Sequence, residues 1–310
     1  MEAKKLCYFY IDDIIWTMRD LTRTKPKSLF DVPFMKMLKT AHDQYGMKVQ
    51  LNLFYRTDFY YGEDEFTLSE VPDSYKAEFE ASSDWLRFGF HSKQEYPDYP
   101  YINASYADVK TNIDRTIREV TRFAGPKSFA YATVPHWMPI SKEGCRALKD
   151  AGIKVISVSR GEKIEYSGDA GSLPYGHAKR LMQNKKPDSG VYIDSKREGV
   201  LSIALHGYNH MTTEEYASVL YTTKGIYNEE IGIYFKPLSN APCINTNTME
   251  QLIEKIPSVL GKAYVGYGLH EQYFYPEYCN HQPDYADKVL YAAKTYHDNG
   301  YTYIFVEDLF

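Results

Sequence analysis

The sequence predicts an α/β protein, a distorted (β/α) barrel of seven to eight parallel strands in a single domain that spans residues 1–310. Short apolar runs alternate along the chain with amphipathic helical stretches. This alternation is typical of parallel sheets whose strands are joined by right-handed helical crossovers, and eight strands favour a barrel over an open sheet. A polar, turn-rich stretch at about 160–200 breaks the rhythm, so we expect a hairpin-like insertion there.

The first strand begins at Lys5 and is mostly apolar up to Ile11, where two adjacent carboxylates follow. A continuous apolar run of this kind predicts a strand that is buried on both faces. Two acids at the end of such a strand are costly unless a metal ion or a catalytic role compensates for them. Further strands are predicted at 47–55, 85–90, 128–134, 153–157, 200–205, 264–269 and 301–306.

The clearest helix is predicted over 105–124, where apolar residues recur at helical spacing and Gly125-Pro126 ends the pattern. Cap residues and glycines predict other helices at 31–46, 72–82, 141–152 and 284–300, with two more that begin near 212 and 248. We expect loops at 21–29 and 56–70, and an irregular segment at 226–247.

Composition and net charge bear on the partners and the location to be expected of this protein. A net charge of -5 without a basic cluster gives no reason to expect nucleic acid or a membrane surface. No apolar run approaches the roughly 20 residues of a membrane span, and the first residues contain no signal core, so we expect a cytoplasmic protein. A secreted protein whose leader has been removed would look the same. The 30 tyrosines suit sugar recognition or reflect a general compositional bias.

Acids and histidines follow the predicted strands with unusual frequency. Barrels of this type place their chemistry on the loops after the strands, and such residues are rare in packed cores. We therefore expect one shared site at the barrel mouth. Its candidate residues are Asp12, Asp13, His91, His136, His206, His270 and Glu271.

Asp12 and Asp13 offer complementary chemistry, because one carboxylate can bind a divalent cation while the other acts as a general base on water. Asp before Ile-Ile-Trp could instead cap a turn. His270 could protonate a leaving group, with Glu271 tuning it. Aromatic rings near Tyr273 would form a sugar-stacking rim.

Two further pairs have metal-ligand spacing. His91 and Glu95 stand at i and i+4, so both can meet one ion on a helical turn. His206 and His210 share that spacing and are by local chemistry the better zinc pair, although each pair could equally be a loop histidine beside a solvated neighbour.

The order of these motifs resembles the polysaccharide deacetylases, the NodB-homology carbohydrate esterases. That resemblance implies a divalent metal held by one Asp and two His, with a second Asp as base and a late His as acid. Asp12 then matches the base, Asp13 the metal-binding Asp, His91 (with Ser92 after it) the first metal His and His270 the late acid. Pro135 matches the proline of the Arg-x-Pro-Tyr motif.

Several positions depart from that family. Ile14 replaces the usual glycine after the acid pair, and Glu95 occupies the second metal-His position. Thr133 stands where an arginine would orient the base, and His136 stands where a tyrosine would be. A glutamate can still bind zinc or a harder metal, so Asp13, His91 and Glu95 form the expected metal set, with His206 as the alternative to Glu95.

The leading hypothesis is a metal-dependent hydrolase of an amide or ester on a sugar or related small molecule, with zinc as the expected divalent metal. Asp12 and His270 are its catalytic candidates. The oligomeric state is left open. The expected substrate-binding residues are Trp16, His136, Trp137, His206, Glu271 and Tyr273.

Two alternatives remain at this point. One is a metal-free glycosidase in which Asp12 or Asp13 pairs with Glu271 or Glu95. The other is a carbohydrate-binding barrel without catalysis, which the tyrosine content and the missing arginine favour.

Overall fold

The computed structural model describes residues 4–57, 65–168 and 206–310. The strands are β1 (Lys5–Ile14), β2 (Val49–Phe54), β3 (Leu86–Ser92), β4 (Ala132–Thr133), β5 (Val155–Ser157), β6 (Ile226–Asn228), β7 (Ile233–Lys236), β8 (Tyr264–His270) and β9 (Tyr301–Tyr303). The helices are α1 (Trp16–Thr24), α2 (Pro33–Tyr45), α3 (Lys76–Ser82), α4 (Tyr106–Ala124), α5 (Lys142–Asp150), α6 (Thr213–Val219), α7 (Met249–Lys255) and α8 (Tyr285–Asp298).

The described strands form two sheets. The larger has the order β3-β2-β1-β8, and β9 pairs with the start of β1; all of these pairs are parallel. The smaller has the order β4-β5-β7-β6, with β6 antiparallel to β7. The predicted mixed α/β class with parallel strands joined by helices is therefore confirmed.

Backbone hydrogen bonds connect the two sheets on both sides. Ala130 N donates to Phe88 O at 2.7 Å, and Asn240 N donates to Gly266 O at 2.9 Å. A Cβ at Gly266 would lie 1.6 Å from Leu238 O, so only glycine admits this close approach. The described residues nevertheless form no single closed sheet, and the predicted barrel is not confirmed.

The first strand has the burial that its composition predicts. Cys7, Tyr8, Phe9 and Ile11 are all 0% exposed. Because β1 is flanked by β2 and β8 and covered on both faces, its end is fixed in position, and it delivers Asp12 and Asp13 into the protein rather than to the surface.

Three local predictions differ from the structure. Residues 16–24, expected in part to be a basic loop, form α1. The segment at 226–247, expected to be irregular, contains the antiparallel β6 and β7. The fourth strand is limited to two residues. The predicted strand at 200–205 and most of the 160–200 insertion lie outside the described residues. No helix of the described ranges is long and apolar enough to cross a membrane.

The side chain of Lys236, at the end of β7, is fully buried. Its Nζ donates to the carbonyl oxygens of Val219, Thr222 and Lys224 at 3.4, 2.6 and 3.1 Å. The Nζ also lies 3.9 Å from the centre of the Tyr264 ring. These contacts favour the ammonium, but burial outweighs them and lowers the pKa of Lys236 to about 7.

The lowered pKa of Lys236 predicts a pH dependence of stability. Between about 7 and about 10.4 the unfolded chain binds a proton at this lysine that the folded chain has lost, so stability rises with pH in that window. We expect the free energy of unfolding to rise by about 1–2 kcal/mol more in the wild type than in Lys236→Met between pH 7 and pH 9. Urea unfolding at both pH values measures this difference. An equal change in the free energy of unfolding between pH 7 and pH 9 in the two proteins would contradict the prediction.

Candidate metal and catalytic site

Asp12 and Asp13 reach the same site because β1 contains a bulge. Successive residues of a regular strand point to opposite faces. Between Ile11 and Ile14, however, the register of β1 shifts against β2, which adds one residue to β1. Asp13 takes up the kink with a φ of +65°, a left-handed conformation. Both carboxylates consequently line one cavity.

His91 lies in a second bulge. Leu53 and Phe54 of β2 pair with Phe90 and Ser92 of β3, which leaves His91 as the extra residue. The ring of His91 is buried, and its Nε2 lies 3.0 Å from Asp13 Oδ1. Two bulges on strands of the same sheet thus turn Asp13 and His91 toward each other.

His136 completes the group from the loop after β4. Its backbone N donates to His91 O at 3.3 Å, which ties the loop to the end of β3. Its Nδ1 lies 3.0 Å from His91 Nε2 and 3.5 Å from Asp13 Oδ1. The structure therefore brings His136, rather than Glu95 or His206, together with Asp13 and His91.

The tautomers of His91 and His136 follow from the hydrogen bonds that each ring makes on the side away from Asp13. His91 Nδ1 lies 2.5 Å from Val134 O, and His136 Nε2 lies 2.9 Å from Glu95 O. A carbonyl oxygen can only accept, so each of these nitrogens carries the proton. In the neutral rings, His91 Nε2 and His136 Nδ1 consequently present lone pairs toward Asp13 Oδ1, which has no hydrogen-bond donor among the described residues.

Three converging acceptors without a donor fit a cation. Nitrogen and oxygen ligands about 2.0–2.2 Å from a tetrahedral zinc ion stand roughly 3.3–3.5 Å apart, close to the separations of 3.0, 3.0 and 3.5 Å found here. Carbonyl partners behind metal-binding histidines are the usual outer support of such sites. A proton could satisfy one pair of these atoms, whereas a metal ion satisfies all three.

The pKa shifts fit this arrangement at His136 and Asp13, whereas the raised pKa of His91 favours a proton on its Nε2, which lies 3.0 Å from Asp13 Oδ1. A metal ion would take the place of that proton. Burial, followed by the neighbouring His91, lowers the pKa of His136 to about 3, so its ring is neutral. Burial also opposes a charge on His91, but Asp12 and Asp13 outweigh it and raise the pKa of His91. Burial likewise opposes ionisation of Asp13, but the adjacent histidines hold its pKa below the ordinary range.

Asp12 stands apart from the three-atom group. Asn52 Nδ2 donates to Asp12 Oδ1 at 2.7 Å, and His91 Nδ1 lies 3.7 Å from the same oxygen. Burial raises the pKa of Asp12, partly offset by His91 and His270. A carboxyl group beside the group of three, and with a raised pKa, is suited to take a proton.

His270 lies level with Asp12, because the parallel register of β1 and β8 pairs these two residues. Asn245 Oδ1 accepts from His270 N at 3.0 Å and lies 3.2 Å from His270 Nδ1. With Nδ1 donating to this oxygen, His270 Nε2 is left for a proton exchange with a ligand. Asn245 was not among the sequence candidates.

The site opens into a cavity of about 410 Å³. Polar groups occupy one part of its wall, and aromatic and aliphatic side chains form much of the rest. Trp137 and Tyr273, two of the residues proposed from the sequence to bind substrate, line it. The complete lining is Tyr10, Asp12, Asp13, His91, Val134, Pro135, His136, Trp137, Met138, Asn245, Thr246, His270 and Tyr273.

Glu95 supports the site from behind. It is buried, and its Oε1 lies 3.7 Å from His136 Nε2, on the side of the ring away from Asp13. Its Oε2 accepts from Gln272 Nε2 at 3.1 Å. The predicted metal ligand Glu95 thus lies behind His136 in the structure, and His136 is the side chain that joins Asp13 and His91 in the group that could hold a metal ion.

Two other predicted substrate contacts, His206 and Trp16, lie elsewhere. His206 is part of a bridge to Glu162, whose Oε2 is 3.7 Å from His206 Nε2. Trp16 is buried against Tyr275 and Tyr278. Neither residue lines the cavity described above.

Glu271 caps α1 instead of facing a ligand. Its Oε2 accepts from the backbone N of Ile15 and of Trp16, both at 2.8 Å, and its Oε1 accepts from Thr17 N at 2.7 Å. Burial raises the pKa of Glu271 to about 8, although these three N–H groups act in the opposite direction. The side chain is 0% exposed and supplies the acceptors that a helix start needs.

Removing this cap should cost stability rather than ligand affinity. Glu271→Ala leaves three buried N–H groups without an acceptor, and we expect it to lower the free energy of unfolding by about 2–3 kcal/mol. Urea unfolding measures the loss, with the metal content of the folded protein as control. Unchanged stability together with a raised KM would instead support the sequence-based prediction that Glu271 contacts the substrate.

Sequence reasoning could have placed His136 beside His91. The third and fourth predicted strands are consecutive and parallel, so their ends meet at one sheet edge, and Val134-Pro135-His136 follows the fourth as His91 ends the third. The family spacing pointed to Glu95 instead, and strand adjacency was the signal that could have replaced it.

No family model matches the chain, and the curated proteins contain no match. Among solved structures, the Xyl-CE4 domain of a multidomain xylanase from the hindgut metagenome of Trinervitermes trinervoides is similar, with 12% identity, a TM-score of 0.43, and 99% of this chain and 90% of that one covered. A candidate polysaccharide deacetylase from Mycobacterium smegmatis is similar with 11% identity, a TM-score of 0.43, and 100% and 91% covered. The proposal below rests on the motif order and on the geometry of the site.

Proposed function

We propose that this chain is a metal-dependent hydrolase that cleaves an acetyl amide or ester from a sugar or a related small molecule. The observation that supports it most strongly is the convergence of Asp13 Oδ1, His91 Nε2 and His136 Nδ1 without a donor. A base and an acid candidate, Asp12 and His270, line the same cavity.

Asp13, His91 and His136 would hold the metal. Two imidazole nitrogens and one carboxylate oxygen are a donor set typical of catalytic zinc, which keeps an open position for water or substrate. When bound, such a metal polarises a carbonyl oxygen and lowers the pKa of water. Zinc is therefore the metal that we propose, with other divalent transition metals as outcomes of the test.

The protein's own groups supply the proton transfers. Asp12, held by Asn52, takes a proton from the attacking water. His270 returns a proton to the leaving amine or alkoxide through Nε2, since its Nδ1 is held by Asn245. Trp137 and Tyr273 offer aromatic surface to a sugar ring in the same cavity.

The metal-free glycosidase has less support. It needs a second carboxylate opposite Asp12 or Asp13, and the sequence offered Glu271 or Glu95. Glu271 is committed to the first turn of α1, and Glu95 lies behind the His136 ring. The barrel that would unite the two sheets stays a prediction.

Elemental analysis and acetate release test the proposal together. We expect about one equivalent of zinc, or of another divalent transition metal, in protein purified without chelator. We also expect acetate release from N-acetylated chitin oligosaccharides or acetylated xylan, lost on chelation and regained on adding zinc. Protein that binds no divalent metal on titration would contradict the proposal, and glycan binding without release would favour the carbohydrate-binding alternative.

A further inference from the structure

Asp12 is held by a chain of two buried amides on β2. Asn52 Nδ2 donates to Asp12 Oδ1 at 2.7 Å. Gln50 Nε2 donates to Asn52 Oδ1 at 2.6 Å and to Ala132 O at 2.9 Å. Gln50 and Asn52 are both 0% exposed and lie two residues apart, so they share one face of the strand.

The orientation of each amide follows from the far end of this chain. Ala132 O can only accept, so the Gln50 atom facing it must be nitrogen. The second N–H of Gln50 then requires an oxygen from Asn52, and this leaves the Asn52 nitrogen facing Asp12. The direction of donation is thus set by a backbone carbonyl of β4 and passes through two side chains to the carboxylate.

The surrounding sheet has space for these two side chains only because of Gly89 on β3. A Cβ at Gly89 would lie 2.4 Å from Asn52 Oδ1 and 2.4 Å from Gln50 Nε2. Any other residue there would displace the two amides. The strand next to β2 therefore accommodates the chain from Gln50 to Asp12.

Another residue that could have held Asp12 is engaged elsewhere. Thr133 follows Ala132 on β4, and its Oγ1 donates to Phe90 O at 2.6 Å. The Asn52 amide is consequently the donor that fixes Asp12 Oδ1, while His91 Nδ1 is 3.7 Å away and directed to Val134 O.

We propose that Asn52, oriented by Gln50, is the positioning residue for the Asp12 carboxylate in the reaction. By occupying Oδ1, the Asn52 amide leaves Oδ2 as the oxygen that receives the proton from water. Asn52 also donates to the charged carboxylate without adding a positive charge beside the metal group. This inference rests on the proposed function, because it gives Asp12 the role of base.

Kinetics of Asn52→Leu and Gln50→Glu test it. Asn52→Leu keeps the shape of the side chain and removes the donor. Gln50→Glu places an acceptor against Asn52 Oδ1, so the Asn52 amide should turn its oxygen toward Asp12. Losing a hydrogen bond to a charged group typically changes an equilibrium or rate constant by a factor of about 10–100. We therefore expect kcat for acetate release to fall about 10–100-fold in both variants. KM should stay within about threefold and metal content should be unchanged.

Thr116→Val on α4 serves as the matched control, because it removes a buried side-chain hydrogen bond from a helix that does not line the cavity. It should lower thermal stability without changing kcat. A folded, metal-loaded Asn52→Leu with wild-type kcat would overturn the inference, and so would equal losses in kcat and in metal content.

A second measurement separates this inference from the function itself. In a double-mutant cycle of Asn52→Ala and Asp12→Ala, the Tm changes should be non-additive, because each single change leaves the other partner unpaired. Additive changes would overturn the contact even in an active enzyme. Non-additive changes in a protein that releases no acetate from any substrate would overturn the proposed function and leave the contact in place.

Discussion

Asp12→Asn is expected to lower kcat for acetate release by about 10²–10⁴-fold while the protein keeps its metal. The amide oxygen of the new side chain can still accept from Asn52, which donates to Asp12 Oδ1 at 2.7 Å, so the local structure should persist. What is lost is the ability to take a proton from water. Steady-state kinetics with elemental analysis of the same preparation measures both effects.

Stability gives this prediction a second readout. Burial raises the pKa of Asp12, which means that the charged carboxylate is held at some cost in the folded protein. Replacing it with a neutral amide should leave the Tm unchanged or raise it, as is common where a catalytic group is strained for function. A lower Tm with proportionate loss of metal would show that Asp12 holds the site together and is not a base.

Asp43→Asn is the matched control for Asp12→Asn. Asp43 lies on α2 and pairs with Lys39 at the surface, so the same chemical change there should alter neither kcat nor metal content. If Asp12→Asn is fully active and binds a full complement of metal, Asp12 is not the base. The proposed metal-binding role of Asp13, His91 and His136 would not be affected by that result.

The sequence was informative where burial dictates residue type. The apolar run before Asp12 predicted β1, and the stripe from Val109 to Phe123 predicted α4 nearly to the residue. These features depend on local periodicity and on burial, both of which are encoded within a short window. Five of the seven residues that the same reasoning placed at one mouth line a single cavity, because parallel strands end at one edge, whereas His206 and Glu271 do not line it.

Contacts between distant segments of the chain were not predicted from the sequence. Glu271 was expected near a ligand, yet it caps α1 across 254 to 256 positions of sequence. Asn52 and Gln50 looked like ordinary polar residues in a strand until the partner strand placed Asp12 beside them. The bulges that turn Asp13 and His91 inward depend on one-residue register shifts between strands, which periodicity within a single strand does not encode.

His136→Ala is expected to lower zinc affinity by more than 100-fold, because it removes one of the two nitrogen atoms that lie beside Asp13 Oδ1 in the proposed ligand set. Glu95→Gln should lower it by about 10-fold or less, since the group that fixes the His136 tautomer is the backbone carbonyl of residue 95, which the substitution retains. Outer partners typically contribute 10–100-fold to metal affinity, so His136 should exceed that range and Glu95 should not.

Zinc titration with a competing chelator measures these affinities in folded protein, independently of any substrate. His136→Gln guards against misfolding, because it fills the space of the ring and offers a weaker ligand, and its affinity should fall between wild type and His136→Ala. His206→Ala is the negative control, since His206 lies against Glu162 and away from the cavity. The opposite result would be loss of zinc from Glu95→Gln and retention of zinc by His136→Ala. It would identify Glu95 as the ligand, as the motif spacing favours, and would mean that the His136 ring turns away from Asp13 when metal binds.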